Sequence, residues 1–326
     1  MDMLACIPYI DEIVIIDSSS VRFYEKLSEY FGDYSSARDK NIKILHIPPL
    51  GYADIYQSLG LSISKNNLII YIEDDEYISQ NDLIALSKII YECYPKFKAF
   101  LLRRKEHYLR DYTIILRVFD KRYVYAPGII HWHFITKVKP KLIPITIDHV
   151  SKITLKERLR ELRRYALIDS YHIGYKVYKI ISASDKGEIL YKVDGSSLNR
   201  IPKTMLNLVT FFRKLCSRLL SDIWADIAFV LIVFNFYSVF KTVSEVFKIK
   251  NPISGLIEGI TYPLLITLYT LRSPYRHAKI WCLTIKNNGF SNLIWKTIPN
   301  ISDCLNYEDP IRNLTAVINT IVRQEN

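Results

Sequence analysis

The chain has 326 residues, 49% of them hydrophobic, which is enough to bury a substantial core and excludes a disordered tail. Its formal charge of +11, from 44 Lys and Arg against 33 Asp and Glu, suits an anionic partner: a nucleic acid, a phospholipid surface or a sugar diphosphate. The five cysteines, Cys6, Cys93, Cys216, Cys282 and Cys304, form no C-x-x-C pair, which excludes a zinc-finger framework and fits a reducing compartment.

In chain order, residues 13–16 read as a β-branched strand and residues 21–31 as a helix. The pattern repeats with a strand over 42–47, a helix over 53–64, a strand over 68–72 and a helix over 81–91. Apolar strands alternating with helices predict a mostly parallel sheet covered on both sides. After Pro95 the strands crowd together at 99–102, 113–119 and 123–125, ending at Pro127-Gly128, which predicts an antiparallel extension. A long basic helix is expected over 154–178, opened by Thr154 and Glu157 at capping-box spacing. No signal peptide is read at the first ten residues, so any catalysis is expected in the cytoplasm.

Residues 223–240 and 252–271 are apolar apart from Asp226, Asn235 and Glu258. A spanning helix needs about 20 mostly apolar residues, so both are borderline, and basic residues flank them on every side. The expectation is a helical hairpin lying in a membrane interface, giving a peripheral or monotopic protein; a buried helix pair is the alternative. The organisation predicted is therefore a domain over 1–150, a closing helix and linker over 151–200, an apolar helical region over 201–275 and a tail over 276–326. Asn300-Ile301-Ser302 and Asn313-Leu314-Thr315 have the form of glycosylation acceptors, which matters only outside the cytoplasm.

Glu73-Asp74-Asp75-Glu76 directly follow the predicted strand 68–72. Ligands of open α/β sheets bind beyond the carboxyl ends of strands, and a divalent cation would relieve the repulsion among four adjacent acids. An acidic turn capping the next helix explains the same residues. Asp17-Ser18-Ser19-Ser20 end the first strand, where an acid and hydroxyls can hold a nucleoside or simply cap a helix.

Taken in order, these segments resemble the family 2 glycosyltransferases. Residues 11–20 look like the family's "DEIVVVDSGS" stretch, and residues 71–79 look like its "LDADEYLS" stretch. Arg117-Val118-Phe119 followed by Gly128-Ile129-Ile130-His131 is similar to its "R-L-F … G-x-(V/I)-H" region. Ile147-Asp148-His149 and Arg164-Tyr165 match a later "H … K-x-x-R-Y" region. The likeness covers roughly the first half of the chain.

The resemblance implies a GT-A fold, a Rossmann-like mixed sheet flanked by helices, here followed by a mostly helical apolar region. It also implies a nucleotide-diphospho-sugar donor, a divalent cation (Mn2+ or Mg2+) and inverting transfer, here to a lipid-linked or protein acceptor. Asp17 and Ser18 would hold the nucleoside; Glu73 and Asp74 would attend the diphosphate sugar; Asp75, Glu73 and His149 would bind metal. Separately, Arg103, Arg104 and Lys105 follow the predicted strand 99–102 and are candidates to offset the leaving diphosphate, with a solvated basic loop the alternative. The sequence departs from the pattern in three ways. Glu73 replaces the first Asp of D-x-D, Trp132 follows His131 where an acid often stands, and only ten residues precede the Asp11 region. The base that takes the acceptor proton is therefore sought at His131 or Glu106, with His133 a further candidate and Trp132 a stacking face for sugar. The alternative is a binding or scaffold protein at a membrane that keeps the fold without turnover. No zinc knuckle or RNA-binding aromatic motif supports a nucleic-acid partner.

Overall fold

The computed structural model describes residues 10–38, 41–106, 112–130, 132, 134–150, 155–185, 222–245 and 252–324. Among these residues the protein is α/β, with a mixed sheet and ten α-helices. Strand β1 (Glu12–Asp17) pairs parallel to β2 (Asn41–His46), with Ile13 opposite Ile42 and Asp17 opposite His46. Helix α1 (Val21–Arg38) connects them, and α2 (Asp54–Ile63) packs against β1.

The larger sheet has five strands: β3 (Leu68–Ile70), β4 (Glu76–Tyr77), β5 (Ala99–Glu106), β6 (Tyr112–Asp120) and β9 (Lys141–His149), in the order β3-β6-β5-β9-β4. Only a short connection separates β5 from β6, and parallel neighbours need a crossover of a dozen residues or more, so this pair is antiparallel. β3 then pairs antiparallel with β6, while β9 returns parallel to β5. The expected parallel arrangement thus holds for β1 and β2, whereas the larger sheet is mixed. Helix α3 (Gln80–Cys93), capped by the Ser79 hydroxyl accepting from Asp82 N, covers one face. Its Leu83, Leu86 and Ile90 pack on Phe100, Leu102, Ile115, Ile143, Ile145 and Ile147. A separate antiparallel pair, β7 (Val124–Tyr125) and β8 (Ile135–Thr136), leads to and from the Pro127–Gly128 turn.

The single helix expected over 154–178 is two, α4 (Leu155–Ser170) and α5 (Ile173–Asp185). The chain tightens at the break, where Tyr171 N donates to Ile168 O and His172 N to Asp169 O. A buried polar cluster holds the bend: Lys176 and Tyr262 donate to Asp169, and His172 lies against Tyr52. Gly174 passes so close to Trp281 that a Cβ would lie 2.3 Å from its ring. Thr154 lies outside the described residues, so the capping box is seen only as Glu157 in the first turn of α4.

Helices α6 (Asp222–Glu245) and α7 (Pro252–Arg272) coincide with the two apolar stretches. Among the described residues no helix is long and apolar enough to cross a membrane. α6 buries Ile227, Phe229, Val230 and Val233 in a core with Ile173, Val177, Ile266 and Trp281, as a buried pair requires, although α7 leaves one face open. Residues 276–326, expected as a tail, contain most of α8 (Pro274–Lys286), and α9 (Phe290–Thr297) and α10 (Pro310–Gln324). Their Ile280, Phe290, Ile294, Leu314, Val317 and Ile318 share one core with Leu50, Tyr52 and Ile55 of the N-terminal half. This region is therefore integral to the fold. Asn313, one of the two sequon asparagines, is buried, and its amide donates to Pro49 O.

Candidate functional site

The acidic segment turns between β3 and β4. Glu76 N donates to Glu73 O, and the Glu76 carboxylate accepts from Glu73 N at 3.1 Å. Glu76 opens β4 opposite His149 of β9, and its side chain is fully buried. Two guanidiniums meet the outer acids of the segment. Arg117 of β6 pairs with Glu76 and, at 3.1 Å, with Glu73; Arg104 of β5 lies 3.2 Å from Glu76 and 3.6 Å from Glu73.

Arg117 is 1% exposed and lies over the Tyr71 ring at 4.8 Å. Burial works against its charge, but the Glu73 and Glu76 carboxylates outweigh it and raise the guanidinium's pKa. Burial likewise pushes the Tyr71 hydroxyl up, with Glu73 adding to it. Two acids and two arginines in so dry a place are stable only as a set, because removing one leaves a buried charge uncompensated.

Asp75 points the other way. Its side chain is 44% exposed, and its Oδ2 lies 2.9 Å from His149 Nε2. The backbone is fixed by Val150 N donating to Asp75 O. The hydrogen bond to His149 holds the Asp75 carboxyl below its ordinary range, against the opposing effect of partial burial. Asp74, also exposed, sits beside it. Of the expected metal ligands, Asp75 and His149 are thus brought together, while Glu73 faces the arginines. Among the described residues no group of three or more His, Cys, Asp and Glu side chains is arranged to hold a metal ion.

At the end of β1, Asp17 is nearly buried and its carboxylate is engaged. His46 Nδ1 lies 2.6 Å from Oδ2, the Ser19 hydroxyl donates to Oδ2 at 3.0 Å and Ser19 N donates to Oδ1. The His46 ring is clamped between Tyr24 and Tyr307, each with its centroid 4.2 Å away and nearly parallel. Tyr307 comes from the segment before α10, which Asn313 ties down by accepting from Asn306 N. Ser18 hydrogen-bonds the Tyr56 hydroxyl, whose pKa burial pushes up to about 12.

Arg103 is exposed, whereas its neighbour Arg104 turns to the acids. Successive strand residues face opposite ways, so only one of the pair can reach that site. Glu106 ends β5 opposite His149, but its side chain, like His131 and His133, lies outside the described residues. The segment leading to His131 is held from several sides: Tyr52 donates to Gly128 O, Ile130 N to His172 Nδ1, and Phe290 N and Ser291 N to Pro127 O. Trp132, expected to offer a face to sugar, is 6% exposed and packs in the core with Ile129 and Ile130. It therefore has no open face for stacking.

Arg117, His46, Tyr24 and Tyr307 carry polar geometry here and were not assigned a site role from sequence, whereas Arg104 was a candidate, with Arg103 and Lys105, for the diphosphate. Arg117 had a signal, its place in the "R-L-F" motif; the alternation of β5 could have chosen Arg104 over Arg103. Compared with known proteins, the chain matches no family model, and no curated protein matches its sequence at a significant level.

Proposed function

We propose that the protein is an inverting, metal-dependent glycosyltransferase with a GT-A-type fold that takes a nucleotide-diphospho-sugar donor and a lipid-linked or protein acceptor. The observation that carries this reading is the Asp75–His149 pair: an exposed carboxylate and an imidazole converging directly after a strand of the mixed sheet, in a turn whose outer acids, Glu73 and Glu76, pair with Arg104.

Asp75 and His149 are two donors for a divalent cation, Mn2+ or Mg2+, and Asp74 is a second exposed carboxylate within the same turn. Such cations are commonly held by one or two carboxylates, with substrate phosphates and water completing the shell, so this donor set fits. The cation would offset charge on the leaving diphosphate. Arg104, at the side of the cluster, adds positive charge for the same purpose. In single displacement the acceptor oxygen bonds to the anomeric carbon as the bond to the diphosphate oxygen breaks, and the acceptor proton passes to a base, for which His131 and Glu106 are proposed. Asp17, with Ser18 and Ser19 beside it, is the proposed nucleoside end of the site.

A second reading, a donor-binding protein without turnover, draws on the burial of Trp132, which leaves no aromatic face there for an acceptor. Incubation with labelled UDP-, GDP- and dTDP-sugars separates the two. Mn2+-dependent release of nucleoside diphosphate, absent in Asp75→Ala, supports the enzyme; donor binding with no release from any sugar supports the second reading.

A further inference from the structure

Helix α7 presents a row of apolar side chains to its surroundings. Ile260, Leu264, Leu268 and Leu271 are 50, 56, 64 and 48% exposed. Spacings of four, four and three residues put them on one face. Other side chains in the described part of the helix face the protein: Ile266 and Thr270 are buried, Tyr262 donates to Asp169 of α4, and Asn235 of α6 donates to the Thr267 hydroxyl. Scattered exposed leucines need no explanation, but a continuous row on one helix marks a contact surface.

What surrounds the row indicates its partner. α7 ends at exposed Arg272, and just beyond it Tyr275 meets Trp224 of α6 edge to face at 6.1 Å, both rings partly exposed. α4, which packs along α7, adds exposed Leu159, Arg160 and Arg163. Asp226 of α6 is an exposed acid nearby in sequence, set against a chain whose net charge is +11. An apolar row bordered by exposed Trp, Tyr and Arg side chains matches the chemistry of a bilayer surface, where acyl chains meet a headgroup layer that favours aromatic rings and carries anionic phosphate. A protein partner would not require a border of aromatic and basic side chains.

We propose that the open face of α7 docks on an anionic lipid bilayer. Leu264 and Leu268 enter the acyl boundary, Trp224 and Tyr275 lie at headgroup level, and Arg272 with the α4 arginines meets phosphate. The helix lies on the membrane, in keeping with the finding that no described helix is long and apolar enough to cross one. This surface shares no residue with the Asp75–His149 pair.

Co-sedimentation of the full chain with vesicles of phosphatidylglycerol and phosphatidylcholine, or of phosphatidylcholine alone, tests it. Wild type partitions to the anionic vesicles, more weakly as salt rises. Leu264→Glu with Leu268→Glu loses about tenfold or more of that partitioning. Tyr91→Glu, at an exposed ring on α3, partitions as wild type. Thermal melts confirm that all variants are folded, and donor binding measured on the same samples separates this surface from the enzyme reading. Wild type that stays in the supernatant, or a double variant that binds vesicles as well as wild type, overturns the proposal. So does a wild-type dimer in sedimentation that the double variant abolishes, because the face would then belong to a second copy.

Discussion

His149 Nε2 lies 2.9 Å from Asp75 Oδ2 across 74 residues of sequence, joined by the two-residue pairing of β4 with the end of β9. The strand pairing sets the separation of the two side chains, so each orients the other. His149→Ala is expected to weaken Mn2+ affinity by about tenfold or more, as losing a ligand or its orienting partner does elsewhere. The Asp75 carboxyl would also return toward its ordinary range. Titration of Mn2+ followed by the free-ion resonance signal checks the affinity; an unchanged affinity removes His149 from the site.

Arg117→Met should be among the most damaging single substitutions. It leaves Glu73 and the fully buried Glu76 with Arg104 alone to balance two carboxylates, at an expected cost of about 3–5 kcal/mol in urea unfolding. Adding Glu76→Gln to that variant is expected to recover part of the loss, since it removes the stranded charge. A loss under about 1 kcal/mol in the single variant would mean that the cluster is well solvated.

Stability should fall as the solution is acidified, for a reason that can be assigned. His277 stacks on Tyr171, donates from Nδ1 to Ser273 O, and is held by burial at a pKa of about 4. The fold therefore keeps it neutral, while the unfolded chain binds a proton below its ordinary value of 6.5. The sign is a loss of stability as pH falls from 6.5 toward 4, about 3 kcal/mol across that window. Urea unfolding at pH 7 and pH 4.5 measures the slope, and His277→Gln should flatten it.

Most of the first half was legible because its signals are local. The strand read at 13–16 is β1 at Glu12–Asp17, the helix read at 53–64 is α2 at Asp54–Ile63, and the helix read at 81–91 is α3 at Gln80–Cys93. β9 was not read, although Ile143, Ile145 and Ile147 alternate inward, because Pro144 interrupts the run. The pairing of β5 with β9 shifts register just there, and a bulge is where a strand tolerates proline. The proline that opens α8 and α10 was an available start signal for helices in a region taken as a tail. In the site, the acids and His149 were visible as motifs. That Glu73 and Glu76 would bind Arg104 and Arg117, and that Tyr307 would stack on His46, depends on strand order and on long-range packing that no local period records.

Gly128→Ala tests whether the C-terminal helices hold the segment leading to His131. Gly128 has φ of +65°, and a Cβ there would lie 2.6 Å from Ser291 Cβ and 2.9 Å from Ser291 N. The left-handed backbone and the contact with α9 together predict a loss of about 2–4 kcal/mol. If the segment also positions the proposed base, turnover measured on the folded fraction falls further than donor affinity does. Equal stability of variant and wild type would show that α9 can move away from the turn.

The most direct test of the central claim is a thermal-shift titration of the whole chain with UDP-, GDP- and dTDP-sugars, with and without Mn2+, in wild type and Asp75→Ala. The glycosyltransferase reading predicts a manganese-dependent rise in Tm with one donor class that Asp75→Ala, folded and melting normally on its own, does not show. No shift with any donor in folded wild type, or an equal shift in Asp75→Ala, would contradict it.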